Sequence, residues 1–368
     1  MPPAFGLTEF DNPGNQCGVP RLIRKLPMQL PVPLRVVRAP GKPIGIWAAI
    51  CLAATVAFTA PATSQVSWQM ATEYPQSNIS GIGLATFAKL VSTYTGGRVT
   101  ATIAYDNELK ITSAEMPRAA QEQRIAGGDA FAGALAAIDP VFGLPSLPFV
   151  VQSVDVARSV NERARPLYEK ALQSRGLKLL YLTIWPSTGI WSDSPLAAPD
   201  DLRRLTIRTY DTSSTDVMRA AGASAELLPL NDAVAALREH RLNAFLTSGD
   251  GGAGRKLWDY LRHFTPVNYA MPVSLAFVRI EAFEALSDDL QKQVMAAAAE
   301  TERSQFELLA NRTTENYARM RANGVDIADP APASVVTALR QAATKPLAAW
   351  KARVNSEAIA IVDWAIQR

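Results

Sequence analysis

The sequence predicts an α/β protein with a largely parallel sheet, because strand-like and helix-like patterns alternate along the chain. Three observations indicate this: apolar, β-branched runs that suit buried strands, apolar residues at helical spacing between them, and glycines where the helices end. In the first half the predicted elements are strand 66–71, helix 79–94, strand 99–105, helices 114–125 and 155–174, and strand 177–185.

The second half repeats the alternation and then becomes helical. Its predicted elements are strand 205–210, helix 213–221, strand 225–228, helix 232–239, and strands 242–246 and 271–278. Ser287 suits the N-cap of a long helix, and the two aspartates after it suit the positive helix end. No proline or glycine follows until Gly324, so this helix should run for about 30 residues, roughly 50 Å. The tail 333–368 is predicted to be helical with one break near Pro346.

The composition indicates a globular protein that is large enough for two lobes. The 368 residues are 48% hydrophobic and 19% charged,. The net charge of +3 arises in residues 1–62, which hold six Lys or Arg against two Asp or Glu. The remaining chain carries 31 basic and 32 acidic residues. This balance gives no electrostatic argument for nucleic-acid binding.

Residues 1–62 are expected to be a signal or precursor segment. Arg35, Arg38 and Lys42 precede an apolar stretch at 44–60, and Ala60-Pro61-Ala62 resembles a signal-peptidase site,. A membrane anchor is the alternative, but the apolar stretch is short for one. Residues 1–27 suggest no fold, and a true start at Met28 would give a more usual signal peptide.

Both cysteines, Cys17 and Cys51, lie in this segment. Cleavage would therefore leave a mature chain with no disulfide, no thiolate nucleophile and no cysteine-ligated metal. For an exported protein of this size, the absence of disulfides favours a bacterial envelope location.

Catalytic and cofactor motifs are not found in the sequence. The two histidines, His240 and His263, stand at predicted helix ends, where a cation suits the dipole,. The glycine-rich run 248–254 has no partner lysine for phosphate binding, so a flexible loop is the simpler interpretation,. No residues assemble an acid–base or nucleophilic site. A binding protein without cofactor or metal is favoured over an enzyme.

Five segments, taken in order, resemble the motifs of one protein family. They are TGGRV (95–99), RIAGGDAFAG (124–133), LPFV (147–150), APDDLRRLTIR (198–208) and LPLNDAVAALREHRLNAF (228–245). The chain resembles, over roughly 66–353, the periplasmic solute-binding subunits of tripartite ATP-independent periplasmic (TRAP) transporters, the C4-dicarboxylate-binding family. The resemblance implies a two-lobed periplasmic binding-protein fold with a hinge, a ligand cleft and a long helix spanning both lobes. Lobe I would be 63–188, lobe II mainly 189–280, and 281–368 would pack on both.

The resemblance also assigns ligand-binding residues. It places the family's carboxylate-binding arginine at Arg208, within the strand LTIRTY, and a guanidinium fork matches a carboxylate in a dry cleft,. Trp191 stands where a second arginine is common, and Thr247 where an asparagine is usual. These departures favour a monocarboxylate with an apolar or aromatic body over a dicarboxylate. The further candidates, each also suited to ordinary packing, are Trp185, Leu230, Asn231 and Tyr269,.

The function that the resemblance implies is a periplasmic receptor that delivers an organic acid to TRAP membrane subunits. A homodimer through the long helix is one further expectation. Alternatives with a different output are a ligand-presenting partner of a membrane sensor kinase and a secreted enzyme on the same scaffold. A structural or surface-attachment protein is the most distant alternative.

Overall fold

The computed structural model describes residues 65–368. The predicted signal segment, both cysteines and the proposed start at Met28 lie outside these residues. The strands are β1 (Val66–Thr72), β2 (Val99–Ala104), β3 (Gly127–Phe131), β4 (Leu177–Ile184), β5 (Thr188–Ser192), β6 (Thr206–Thr209), β7 (Ser224–Leu227), β8 (Ala244–Ser248), β9 (His263–Thr265), β10 (Val273–Arg279) and β11 (Asp326–Ile327).

The α-helices lie between the strands and at the C-terminal end. They are α1 (Ile79–Tyr94), α2 (Met116–Gln121), α3 (Val154–Gln173), α4 (Thr212–Ala220), α5 (Leu230–Arg238), α6 (Gly249–Gly254), α7 (Ile280–Glu284), α8 (Asp288–Ala322), α9 (Ala333–Lys351) and α10 (Ser356–Ile366). Short 3-10 helices occupy 132–135, 140–146, 199–204 and 257–259. Among the described residues, no helix has both the length and the hydropathy to cross a membrane.

Two mixed sheets form the cores of two lobes. The first lobe is built on the order β2-β1-β3-β10-β4, and the second on β11-β9-β5-β8-β6-β7. The α/β class and the two-lobed fold are confirmed, but the largely parallel sheet is wrong. Strand β10 runs antiparallel to β3 and β4, and β5 runs antiparallel to β8 and β9. In each sheet the antiparallel strand, β10 or β5, follows a segment in which the chain crosses from the other lobe.

Two crossing segments connect the lobes, and they bond to each other. One follows β4 at 185–187, and the other joins β9 to β10 at 266–272. The amide of Trp185 donates to the carbonyl of Pro272 (2.8 Å), and that of Thr188 donates to the carbonyl of Ala270 (2.9 Å). Tyr269 returns a bond to the carbonyl of Thr188 (3.0 Å). The antiparallel pairing therefore continues through the hinge, which satisfies its buried backbone groups.

Helix α8 spans both lobes, as expected. It has 35 residues, and the hydroxyl of Ser287 caps it by accepting from the amide of Leu290 at 3.3 Å. It packs on α1 and β4 of the first lobe and on α6 and β11 of the second. The outer face carries exposed Lys292, Arg303 and Glu307 rather than a stripe of large apolar side chains. The predicted pairing of two chains through this helix therefore has no support in the structure.

Two local predictions are wrong. Helix α9 continues through Pro346, and the chain breaks between α9 and α10 instead. Proline removes one hydrogen bond, but buried Val335, Leu339 and Trp350 hold both halves of α9 to the core,. The glycine-rich run forms helix α6 rather than a flexible loop, capped by Ser248, whose hydroxyl accepts from the amide of Gly251 at 3.1 Å.

Candidate functional site

A cavity of about 510 Å³ lies between the two lobes, and both lobes and the crossing segments line it. This volume suits a small organic molecule. The first lobe contributes Glu73, Tyr74, Ser113 and Phe131; the second lobe contributes Arg208, Tyr210, Asp211, Leu230 and Thr247; the crossing region contributes Trp185, Thr188 and Pro272; and Trp350 and Arg353 come from the C-terminal helices.

Arg208 supplies a buried cation to this cavity. Strand β6 is an inner strand, paired with β7 on one side and β8 on the other. Arg208 lies on this strand and is only 7% exposed. Its Nε donates to the carbonyl of Leu228 at 2.9 Å, and its guanidinium lies 5.7 Å from the ring centroid of Phe245. These contacts fix the plane of the guanidinium.

The charge of Arg208 has no ion-pair partner among residues 65–368. Burial lowers the pKa of Arg208, and the neighbouring Tyr74 and Glu73 oppose that shift. A guanidinium nevertheless stays protonated in proteins. A buried cation without an adjacent anion is costly, so this side of the cavity is suited to an anionic ligand group.

Aromatic side chains form part of the remaining wall. The rings of Tyr74 and Trp185 pack with centroids 4.7 Å apart, and Trp185 Nε1 donates to the hydroxyl of Ser274 at 2.9 Å. Phe131 and Tyr210 meet nearly edge to face at 5.3 Å. Because both pairs are locked by packing, they offer fixed apolar surfaces to a ring or hydrocarbon body.

The structure brings four of the predicted site residues to the cavity: Arg208, Trp185, Leu230 and Thr247. It does not bring Trp191, Asn231 or Tyr269 there. Asn231 is half-buried on α5. Tyr269 is fully buried against Phe149 and Tyr210, with centroid distances of 5.5 and 6.5 Å, so it supports the wall from behind.

Trp191 lies in the core of the second lobe. It is fully buried, packs on Phe264 at 5.3 Å, and donates from Nε1 to the carbonyl of Ser248 at 3.3 Å. A Cβ on Gly252 would come within 2.2 Å of its ring, so α6 is packed tightly on this indole. Thr188 is the residue of β5 that reaches the cavity. No ligand contact is therefore proposed for Trp191.

Two buried carboxylates in the wall were not anticipated. Glu73, just beyond β1, is 7% exposed and accepts a hydrogen bond from the hydroxyl of Ser113. Burial raises its pKa, while Ser113 and Arg208 oppose the shift.

Asp211 caps α4 by accepting from the amide of Ser214 at 2.7 Å. Burial raises the pKa of Asp211 to about 6. The position of Glu73 at the end of a predicted strand was the signal available in the sequence.

Two α/β lobes, crossing segments that join them, and a cavity between them are the architecture of an extracytoplasmic solute receptor,. The chain belongs to the bacterial extracellular solute-binding proteins, family 7, whose model matches residues 70–351. This is the family of TRAP solute receptors, and its members are binding proteins rather than enzymes.

Solved structures agree with this assignment. A marine metagenome TRAP solute-binding protein specific for pyroglutamate is 26% identical, with a TM-score of 0.78 over 83% of this chain and 99% of its own. DctP6 of Bordetella pertussis, which binds pyroglutamic acid, is 25% identical, with a TM-score of 0.77 over 82% and 100%. A TRAP protein of Desulfovibrio salexigens with bound orotic acid is 19% identical, with a TM-score of 0.75 over 82% and 98%. No curated protein sequence matched the chain.

Proposed function

We propose that this protein is a periplasmic receptor that binds an organic acid through one carboxylate and delivers it to TRAP membrane subunits. The observation that carries the proposal is Arg208, a buried guanidinium that lines the cavity between the lobes and has no ion-pair partner among the described residues. A ligand carboxylate would supply that partner at a guanidinium that is itself only 7% exposed, so solvent would screen the pair weakly,.

The charges of the wall favour a monocarboxylate over a dicarboxylate. Arg208 is the buried cation of the lining, whereas Glu73 and Asp211 are buried carboxylates. Arg353, the other cation of the lining, is exposed to solvent, which screens it,. A second ligand carboxylate would therefore face repulsion rather than a partner. The pyroglutamate bound by the two relatives at 25% and 26% identity carries a single carboxylate, which supports the same class of ligand.

The test is calorimetric titration of wild type and Arg208→Ala with L-pyroglutamate, D-galacturonate, orotate and succinate. At least one monocarboxylate should bind wild type more tightly than succinate. Arg208→Ala should lose about 3 kcal/mol of binding, or more than 100-fold in affinity, because a buried charge pair is broken.

Arg204→Ala is the matched control. Its side chain is 68% exposed and pairs with Asp201 just before β6, so this variant should keep wild-type affinity. A carboxylate that binds wild type and Arg208→Ala equally would contradict the assigned role. Preference for succinate over all three monocarboxylates would contradict the ligand class.

A further inference from the structure

Two opposite buried charges face the same cavity without pairing with each other. Glu73 and Arg208 both line it, and each is 7% exposed. Their charged atoms nevertheless lie farther apart than the 4.0 Å of an ion pair. Each side chain is held by its own lobe: the hydroxyl of Ser113 bonds Glu73, and the carbonyl of Leu228 bonds Arg208 Nε. The Glu73 carboxylate and the Arg208 guanidinium are therefore two separate charged groups at fixed positions in one cavity, and they are called its two poles below.

No other described cation pairs with the Glu73 carboxylate. Arg255 is the nearest candidate, since its guanidinium donates to the main-chain carbonyl of Glu73 at 2.9 Å. Its ion pair, however, is with the carboxylate of Asp106. Arg255 thus offsets part of the charge of Glu73 without bonding its carboxylate oxygens. Unpaired buried charges are costly, and a ligand that complements both poles would remove that cost.

We propose that Glu73 accepts a hydrogen bond from an N–H group of the ligand whose carboxylate pairs with Arg208. The receptor would then select organic acids that carry an N–H donor beside the carboxylate, namely cyclic amide acids or amino acids. This inference rests on the proposed function and assigns specificity within the same site.

The aromatic part of the lining favours an acid with a compact, partly apolar ring. The aromatic pairs Tyr74–Trp185 and Phe131–Tyr210 present apolar surface. Ligand hydroxyl groups that lie against these rings would have no partners there, which costs binding energy. A compact ring with one donor and one carboxylate meets both poles and leaves its apolar edge to the aromatic rings.

The experiment uses acids that differ only at the donor. Wild type is titrated by calorimetry with L-pyroglutamate and with its lactone counterpart, 5-oxotetrahydrofuran-2-carboxylate, in which oxygen replaces N–H. L-proline and tetrahydrofuran-2-carboxylate form a second pair, which tests an ammonium instead of an amide. In at least one pair the N–H acid should bind at least tenfold more tightly, because the oxygen analogue loses a charge-assisted bond and repels the carboxylate.

Glu73→Gln tests whether this residue provides the discrimination. The amide of glutamine can donate to the ring oxygen, so the preference for the N–H acid should fall at least tenfold or reverse. Glu108→Gln, an exposed position of the same lobe, is the matched control and should keep the wild-type preference. Circular dichroism and thermal melts establish that both variants fold.

The outcomes separate this inference from the function on which it rests. Equal affinity within both pairs, or a Glu73→Gln variant that keeps the full preference, would overturn the role of Glu73. If carboxylates bind through Arg208 but none of the N–H acids binds, the N–H class is overturned and the receptor function stands. Tighter binding of a hydroxy acid, D-galacturonate, than of either N–H acid would likewise overturn the N–H class. Failure of every carboxylate would refute the receptor function itself.

Discussion

Replacing Arg312 by alanine should destabilise the fold, because it removes the charge that balances a buried carboxylate. Arg312 Nε on α8 donates to Asp250 of α6 at 2.5 Å, and Asp250 is fully buried. Asp250 also accepts from the amide of Ile79 at 2.9 Å and from side-chain amides of Asn78 (3.0 Å) and Asn316 (3.1 Å). This network therefore links α1 of the first lobe, α6 of the second and the helix that spans them.

The expected loss is about 3 kcal/mol. Breaking a buried pair from one side costs about 3–5 kcal/mol, and the three remaining donors to Asp250 place the value at the lower end. An unfolding entropy near 0.6 kcal/mol/K for about 300 residues converts this loss into a drop in Tm of about 5 °C. Thermal and urea unfolding followed by circular dichroism would measure it.

Arg303→Ala, on the same helix, is the matched control. Arg303 pairs with Glu300 and Glu307 at the surface and is 58% exposed, so its loss should cost below about 0.5 kcal/mol. In a double-mutant cycle, the variant that combines Arg312→Ala with Asp250→Asn should lose less unfolding free energy than the two single variants lose in sum. Equal losses for the two arginines, or strict additivity in the cycle, would refute the reasoning.

Two further predictions concern buried groups. Burial raises the pKa of Asp129 to about 7, so the folded protein favours the protonated carboxyl. This preference stabilises the fold fully below the unfolded pKa near 3.9. The stabilisation, up to about 4 kcal/mol, is lost as the pH rises from there through 7. Wild type should thus lose more unfolding free energy between pH 5 and 8 than Asp129→Asn; identical pH slopes would contradict this. Gly252→Ala should cost about 1–3 kcal/mol in urea unfolding, because the new Cβ meets Trp191 at 2.2 Å,. Gly143→Ala, whose nearest atom would be 3.2 Å away, should cost less.

Local patterns predicted the strand that carries Arg208 and helix α8. The resemblance of the surrounding motif singled out Arg208, which does line the cavity, and its role in ligand binding remains a prediction. The helix was found because its cap, its first-turn aspartates and the lack of proline and glycine all act within the segment itself. For the strand and for the helix, the signal and the structure that it produces lie in the same few residues.

Features that depend on distant parts of the chain could not be predicted in this way. Strand β10 joins β3 and β4 only because the chain crosses back from the second lobe, and no periodicity in 273–279 records that. Trp191 was misplaced for a related reason. Every residue of β5 is buried, so alternation separates its two faces without showing which one meets the cavity. Glu73 was missed because its significance depends on Ser113 and Arg208, which are remote in sequence.

The position of the two charged poles connects ligand selection to the hinge. Arg208 belongs to the second lobe and Glu73 to the first, and the cavity between them also touches Trp185 and Thr188 of the crossing region. A ligand that bonds both poles makes contacts that exist only while the lobes are closed, so its binding energy stabilises that arrangement. Arg255 of the second lobe also bonds Asp106 and the carbonyl of Glu73, so ligand bonds to both poles would add to bonds that the chain itself makes between the lobes.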